Sequence, residues 1–285
     1  DRDGIADDDD TDTDGDGMPD AFEIANGLDP RDSSDADSDL DGDGISNLQE
    51  FIDSLNPTID DVAPVFGTLE PVSVDATGLF TSPTLEAPIA VDGKDGDVTA
   101  TRVSSPLKPG EHEITWTATD EAGNQATAQQ QLHINPIVNV EIDQQAEEGG
   151  TVEVRVVLNG DAPTYPVVVN YEVSGTTDEA DHNARSGIVN IANGLEGSIT
   201  FDLLSDSLSG EAGETVIFTL GFIENGVAGH NTVHTVTVIE ENVAPTATLN
   251  VTQADTPSLL IERTAGVVTV SAGVIDPNPN DTHEY

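Results

Sequence analysis

Residues 12–23 read DTDGDGMPDAFE, and residues 39–50, starting 27 positions later, read DLDGDGISNLQE. Acids fall at every second position of both: Asp12, Asp14 and Asp16 in the first, Asp39, Asp41 and Asp43 in the second. Gly17 and Gly44 follow, then Met18 and Ile45, then Asp20 and Asn47, and each stretch closes on a glutamate, Glu23 and Glu50. Like charges this dense repel, so a compact fold here needs something that neutralises them. That requirement constrains the chain more than any other feature.

The spacing identifies the neutraliser. Positions 1, 3, 5, 7, 9 and 12 of each twelve-residue stretch carry oxygen donors, those of Met18 and Ile45 being backbone carbonyls, with glycine at position 6. This is the ligand spacing of an EF-hand-type calcium loop. Alternate side chains of a tightly wound loop converge, glycine permits the sharp turn, and the late glutamate closes the shell bidentately. Hard carboxylate oxygens in such number suit calcium better than magnesium, which keeps its waters. The opening residues supply a partial third version, with Asp1, Asp3, Ile5, Asp7 and Asp10 as donors. It looks like the second half of a loop, so the chain reads as a slice of a longer polypeptide. Asp8, Asp35 and Asp37 lie just outside the loops, where carboxylates shared between neighbouring ions are expected, and several ions follow.

The competing reading is a solvated acidic tail. Against it, each loop runs into a short helical pattern. DAFEIANG (20–27) carries Phe22 and Ile24 before a capping Gly27. Residues 45–57 place Ile45, Leu48, Phe51, Ile52 and Leu55 on one helical stripe.

Charge also excludes partners. The 285 residues hold 55 acids and eight bases, a net charge of −47. Nucleic acid, itself a polyanion, is excluded as a partner, and an anionic membrane surface likewise. Residues 1–61 alone hold 22 acids and two bases, which marks them as a separate unit. There is no cysteine, hence no disulfide and no thiolate metal site. No apolar run reaches the roughly 20 residues that span a bilayer.

After residue 61 the texture becomes alternating strands rich in Thr and Val, with 4% aromatic residues overall, a composition suited to thin β-sandwiches. EHEITWTATD (111–120) sets Ile114, Trp116 and Ala118 on one face. TVEVRVVL (151–158), YPVVVNYEV (165–173), GSITFDLL (197–204) and ETVIFTLGF (214–222) follow. AGVVTVSAGVID (265–276) reads as a strand pair. The expected architecture is mainly β: tandem Ig-like antiparallel sandwiches at 62–136 and 137–242 and a partial Ig-like or PKD-like domain at 243–285. Ahead of them stands a calcium-wrapped acidic segment, 1–61, with two short helices.

DTDGDGMPDAFEIANGLDP and DSDLDGDGISNLQEF resemble bacterial thrombospondin type-3 repeats, a calcium-binding family of secreted and cell-surface proteins. Dockerins share the loop chemistry, but here the first helix stops at once at Gly27-Leu28-Asp29-Pro30. Pro109-Gly110 followed by TATDEAGN (117–124) resembles the hyalin-repeat type of Ig-like domain, in which Asp120 and Asn124 read as turn-formers and Trp116 as core. EEGGTVEVRVVLNG (147–160), TTDEADHNARSG (176–187) and GEAGETVIFTL (210–220) resemble a Calx-beta domain. That resemblance implies calcium ligands at Glu148, Asp181, Asp206, Glu211, Glu214, Glu240 and Glu241. It departs from the family pattern at His182, where an aromatic is usual, and in a terminal pair that is Glu rather than Asp.

No HExxH, GxSxG, P-loop or nucleotide-binding glycine pattern occurs. His230 and His234 share an expected strand face, without a zinc-site pattern around them. These readings converge on a non-catalytic, calcium-stabilised extracellular protein, secreted or on the cell surface. It would be the stalk or fibre of an adhesin, matrix or filament, with copies of itself or neighbouring surface components as partners. The alternatives are an accessory region of a secreted hydrolase and a dockerin-like partner-binding module.

Overall fold

The computed structural model describes residues 10–205, 213–239, 245–254, 256–257 and 266–275. The protein is mainly β and divides into two compact units. One comprises residues 1–74 and 80–134, the other 75–79 and 135–285.

The first unit opens with two short helices, α1 (Asp20–Asn26) and α2 (Asn47–Asp53). Both stop in the left-handed region, α1 at Gly27 (φ 79°) and α2 at Ser54 (φ 62°). Helices of seven residues do not stand alone in water. These are held by a small apolar contact in which Phe22 and Phe51 meet at 4.8 Å between ring centroids, beside buried Met18 and Ala36. The expected stripe on α2 is narrower than its sequence suggests: Ile52 is 61% exposed, as is Ile24 of α1 at 69%. So small a core is covered by one residue per turn, and the remaining apolar side chains face solvent.

Six strands follow: β1 (Val65–Phe66), β2 (Val72–Asp75), β3 (Ile89–Asp92), β4 (Gly96–Thr99), β5 (Gly110–Thr119) and β6 (Gln125–Asn135). They form two three-stranded sheets, ordered β1-β3-β4 and β2-β6-β5. The β5–β6 hairpin runs in unbroken register from Gly110↔Ile134 to Thr119↔Gln125. Its inner face buries Ile114, Trp116 and Ala118 with Leu132 and Ile134, the alternation legible in residues 111–120. Trp116 satisfies its indole N–H by donating to Gln130 Oε1 at 3.0 Å.

The second unit is a sandwich. Its strands are β7 (Ile137–Val140), β8 (Gln144–Glu147), β9 (Thr151–Leu158), β10 (Val167–Gly175), β11 (Gly187–Ile191), β12 (Glu196–Asp202), β13 (Thr215–Glu224), β14 (Val227–Ala228) and β15 (Val233–Ile239). A five-stranded sheet, β11-β10-β13-β15-β8, faces a four-stranded one, β12-β9-β7-β14. The shared core draws Val152, Val154, Val156 and Leu158 from β9, with Val216, Phe218 and Leu220 from β13 and Val236 and Val238 from β15. Two pairings are parallel rather than antiparallel, β14 on β7 and β8 on β15. The link 141–143 carries the chain from one sheet to the other, so β8 arrives at the edge of its new sheet running along β15.

Beyond it, β16 (Thr246–Gln253) pairs antiparallel with β18 (Val268–Ile275) in full register, and β17 (Thr256–Pro257) lies against the end of β16. Residues 268–275 are therefore one strand, not a strand pair. Gly273 sits opposite Thr248 inside the ladder, and Thr248 Oγ1 donates to its carbonyl at 3.2 Å. Ser271, Ala272 and Gly273 lie within that strand, opposite Asn250, Leu249 and Thr248.

Phe218 is fully buried and packs against Phe201 at 5.2 Å and Tyr171 at 6.0 Å. Phe218→Ala should cost about 3–5 kcal/mol. Thermal unfolding should show the loss in the second unit's transition alone.

Candidate metal centres

The two acidic loops fold by the same hydrogen bonds. Asp12 accepts from the N–H of Gly15 at 2.9 Å through one oxygen and from Gly17 at 3.2 Å through the other. Asp39 does the same with Gly42 at 2.7 Å and Gly44 at 2.9 Å. One oxygen of Asp14 accepts from the Asp16 amide and one of Asp16 from the Met18 amide; Asp41 and Asp43 repeat this with Asp43 and Ile45. All four of these glycines have φ between 76° and 99°, a region closed to most side chains. Gly15 and Gly42, at the fourth position, are therefore as necessary as the Gly17 and Gly44 that the spacing singles out.

These turns use one oxygen of each inner aspartate and leave the second free of hydrogen bonds. Asp14 Oδ2, Asp16 Oδ2, Asp41 Oδ2 and Asp43 Oδ2 are buried without a partner. The closing glutamates are more extreme. Glu23 and Glu50 are each 0% exposed, and neither oxygen of either has a partner. Burial, and then the charges of Asp14 and Asp16, pushes Glu23 up to about 7. Burial followed by Asp41 and Asp43 does the same to Glu50, also to about 7. Asp14, Asp16 and Asp41 are raised too, in each case first by burial. An unpaired buried carboxylate is costly, and here several face one another.

Oxygens of Asp12, Asp14 and Asp16 lie within 4.8 Å of one another, as do those of Asp39, Asp41 and Asp43. Asp16 also belongs to a second triad, with Glu23 and Asp35. Asp35 thus reaches back to the first loop from beyond α1. Its Oδ2 accepts from the Asp29 amide at 2.8 Å while its Oδ1 is buried and unpartnered. Asp16 is thus common to both groups of converging carboxylates.

The ninth-position side chains have other partners. Asp20 accepts from the Thr13 amide and hydroxyl, both at 2.8 Å, and those bonds lower its pKa. Asn47 accepts from the Leu40 amide at 3.1 Å and donates to the Asp35 carbonyl at 2.7 Å. Both residues clamp the second position of their own loop, and Asn47 ties the loops together. Asp10 accepts from the Asp12 amide at 3.1 Å, and Asp37 is exposed. Asp61 is a residue the spacing does not reveal. Its Oδ2 accepts from the Asn56 amide at 3.2 Å, as Asp35 does from Asp29, and its charge helps raise Glu50. The signal was the repeated Leu-Asp/Asn-Pro at 28–30 and 55–57, each followed by an acid five or six residues past its Asp or Asn.

Asp1, Asp3, Ile5, Asp7, Asp8, Asp206, Glu211, Glu240 and Glu241 lie outside the described residues. Among the described residues of the second unit, Glu148, Asp181 and Glu214 join no acidic cluster. Asp181 caps its own turn by accepting from the Asp178 amide at 2.6 Å. His182 is buried edge-on to Phe201 at 6.3 Å, and burial lowers its pKa, so it fills an aromatic's place. His230 and His234 share no face. His234 is buried on β15, within 2.9 Å of the Glu141 carbonyl, while His230 is exposed in the preceding loop.

No protein-family model matches the chain. No curated protein matches it in sequence. Among solved structures, the apo form of the Calx CBD1 domain is 23% identical, with a TM-score of 0.32, covering 37% of this chain and 98% of that one. The CBD12 region of CALX1.2 is 18% identical, with a TM-score of 0.34, covering 50% of this chain and 72% of that one. The protocadherin GammaB4 extracellular domain is 14% identical, with a TM-score of 0.30 over 76% of this chain, and the match spans only 38% of that chain. At these scores the likenesses add nothing to what the strand topology already establishes.

Proposed function

We propose that this chain is a calcium-stabilised structural segment of an extracellular protein, a stalk or fibre element of a surface or matrix assembly, without catalytic activity of its own. The observation that carries the reading is the pair Glu23 and Glu50, wholly buried with all four carboxylate oxygens unpartnered, each behind a loop of converging aspartates. A buried anion without a partner destabilises a fold by several kcal/mol. The same anion becomes the last ligand of a shell once a divalent cation enters. Calcium, with six to eight oxygen ligands and flexible geometry, fits such loops, and extracellular modules of this chemistry bind at roughly 10⁻⁴–10⁻³ M. The thrombospondin type-3 resemblance of residues 1–57 points the same way. The mechanical role follows from physics: α1 and α2 share one small aromatic contact, so the segment's rigidity has to come from its ions. Sandwiches in series carry that rigidity along the chain.

Chelation tests the reading directly. Removing calcium from the full chain should unfold residues 10–61 first, seen as lost hydrogen-exchange protection there while the second unit melts unchanged. Identical protection with and without chelator would overturn it.

Glu23→Gln and Glu50→Gln should reverse sign with calcium. Each variant should weaken calcium binding by more than about tenfold, roughly 1.4 kcal/mol. In chelator each should melt higher than the parent, because a buried charge has been removed. Calorimetric titration and melting in both conditions check this.

The pH response should also reverse. Without calcium, Glu23 and Glu50 take protons more readily folded (about 7) than unfolded (4.5). The metal-free segment is therefore most stable below about pH 4.5 and loses that stability as pH rises through about 7. With calcium, acidification across the same window should weaken the fold, since protons compete for the ligands. Melting temperatures at a series of pH values, with calcium and with chelator, read both slopes.

A further inference from the structure

A third acidic cluster lies outside both loops, and from it we infer a further calcium site built by Asp60, Asp92 and Asp120. The three residues come from separate parts of the first unit. Asp60 sits on the segment between α2 and β1, Asp92 ends β3, and Asp120 follows β5. They are 3%, 4% and 8% exposed, and one oxygen of each lies within 4.8 Å of the others.

The hydrogen bonds divide each carboxylate in two. Asp92 Oδ1 accepts from the Lys94 and Asp95 amides, both at 2.9 Å. Asp120 Oδ1 accepts from the Gly123 amide at 2.6 Å and the Asn124 amide at 2.7 Å. Asp60 Oδ1 accepts from the Val62 amide at 3.3 Å, with the Asn124 side-chain amide at 3.5 Å. The three Oδ2 atoms have no partner at all. Turn formation thus accounts for one oxygen of each carboxylate and leaves the other buried without a partner. Burial raises Asp60, and the Asp92 charge raises it further, outweighing the attraction of Lys94.

Such an arrangement fits a hard divalent cation. Oxygens on opposite sides of a calcium ion, each about 2.3–2.6 Å from it, stand roughly 4.6–5.2 Å apart. Three oxygens all within 4.8 Å of one another can reach one such ion together. Magnesium prefers to keep several waters, which a buried triad does not favour.

The placement suggests a purpose. Asn124 holds the Asp60 segment against the sandwich, donating to the Asp60 carbonyl at 3.0 Å and the Val62 carbonyl at 3.3 Å. Beside Asp92, Gly93 meets the second loop so closely that a Cβ there would stand 2.0 Å from the Asp43 carbonyl oxygen. An ion among the three aspartates fastens the acidic segment to the sandwich that follows it. The site holds or falls separately from the two loops, because it shares no ligand with them.

The test is calcium stoichiometry of the full chain by equilibrium dialysis and calorimetry. Asp92→Asn should lose one bound calcium per chain while Glu23→Gln and Glu50→Gln leave that ion in place. An unchanged ion count in Asp92→Asn would overturn the assignment. If the variant does not fold, anomalous scattering from parent crystals grown in calcium decides. A peak bound by the three Oδ2 atoms upholds the site, and loops carrying calcium beside a triad without a peak rejects it.

Discussion

Carboxylate repulsion inside a fold too small to bury it is the constraint on which the first unit depends. Glu23 and Glu50 are the largest fully buried groups around their loops apart from Met18, and each is acidic. In most proteins a carboxylate so placed is bound by an arginine or a run of amides. Here the amides are already taken by the aspartates, through both oxygens of Asp12 and Asp39 and one oxygen of each inner aspartate, and the chain has only eight basic residues to offer. The loop geometry therefore buries negative charge on Glu23 and Glu50 that no basic side chain among the described residues offsets. Turn hydrogen bonds engage one oxygen of each inner aspartate and leave the other buried without a partner.

That division extends past the loops. Asp35, Asp60, Asp92 and Asp120 each commit Oδ1 or Oδ2 to a turn amide and leave the other buried. The acidic segment and the first sandwich thus share one construction rule. The second unit obeys a different one. Its core is aliphatic and aromatic, drawn from both sheets, and its stability follows from apolar burial. Its described acids are mostly solvated or occupied in turns, as with Asp181 and with Asp202, which accepts from Thr151 and Asn183.

Much of this was legible in advance because its signals are local. The converging aspartates of each loop, the Gly27 stop and the alternation of Ile114, Trp116 and Ala118 depend on spacings of a few residues, which a single chain displays directly. The errors came where a distant neighbour decides. Residues 265–276 read as a strand pair until β16 is placed beside 268–275 as one strand, and Ile52 reads as core until the size of that core is known. His230 and His234 lie four apart, but the strand begins between them.

The residues of the sequence by themselves determined that acids crowd the first 61 positions, that aspartates alternate through two loops, and that thin sandwiches follow. Tertiary structure alone decided which distant acids share a site. Asp35 reaches back across a helix, and Asp60, Asp92 and Asp120 meet from separate elements. Ligand spacing within a turn is a property of the backbone over a dozen residues. Convergence across separate strands depends on how sheets pack, and no local pattern encodes that.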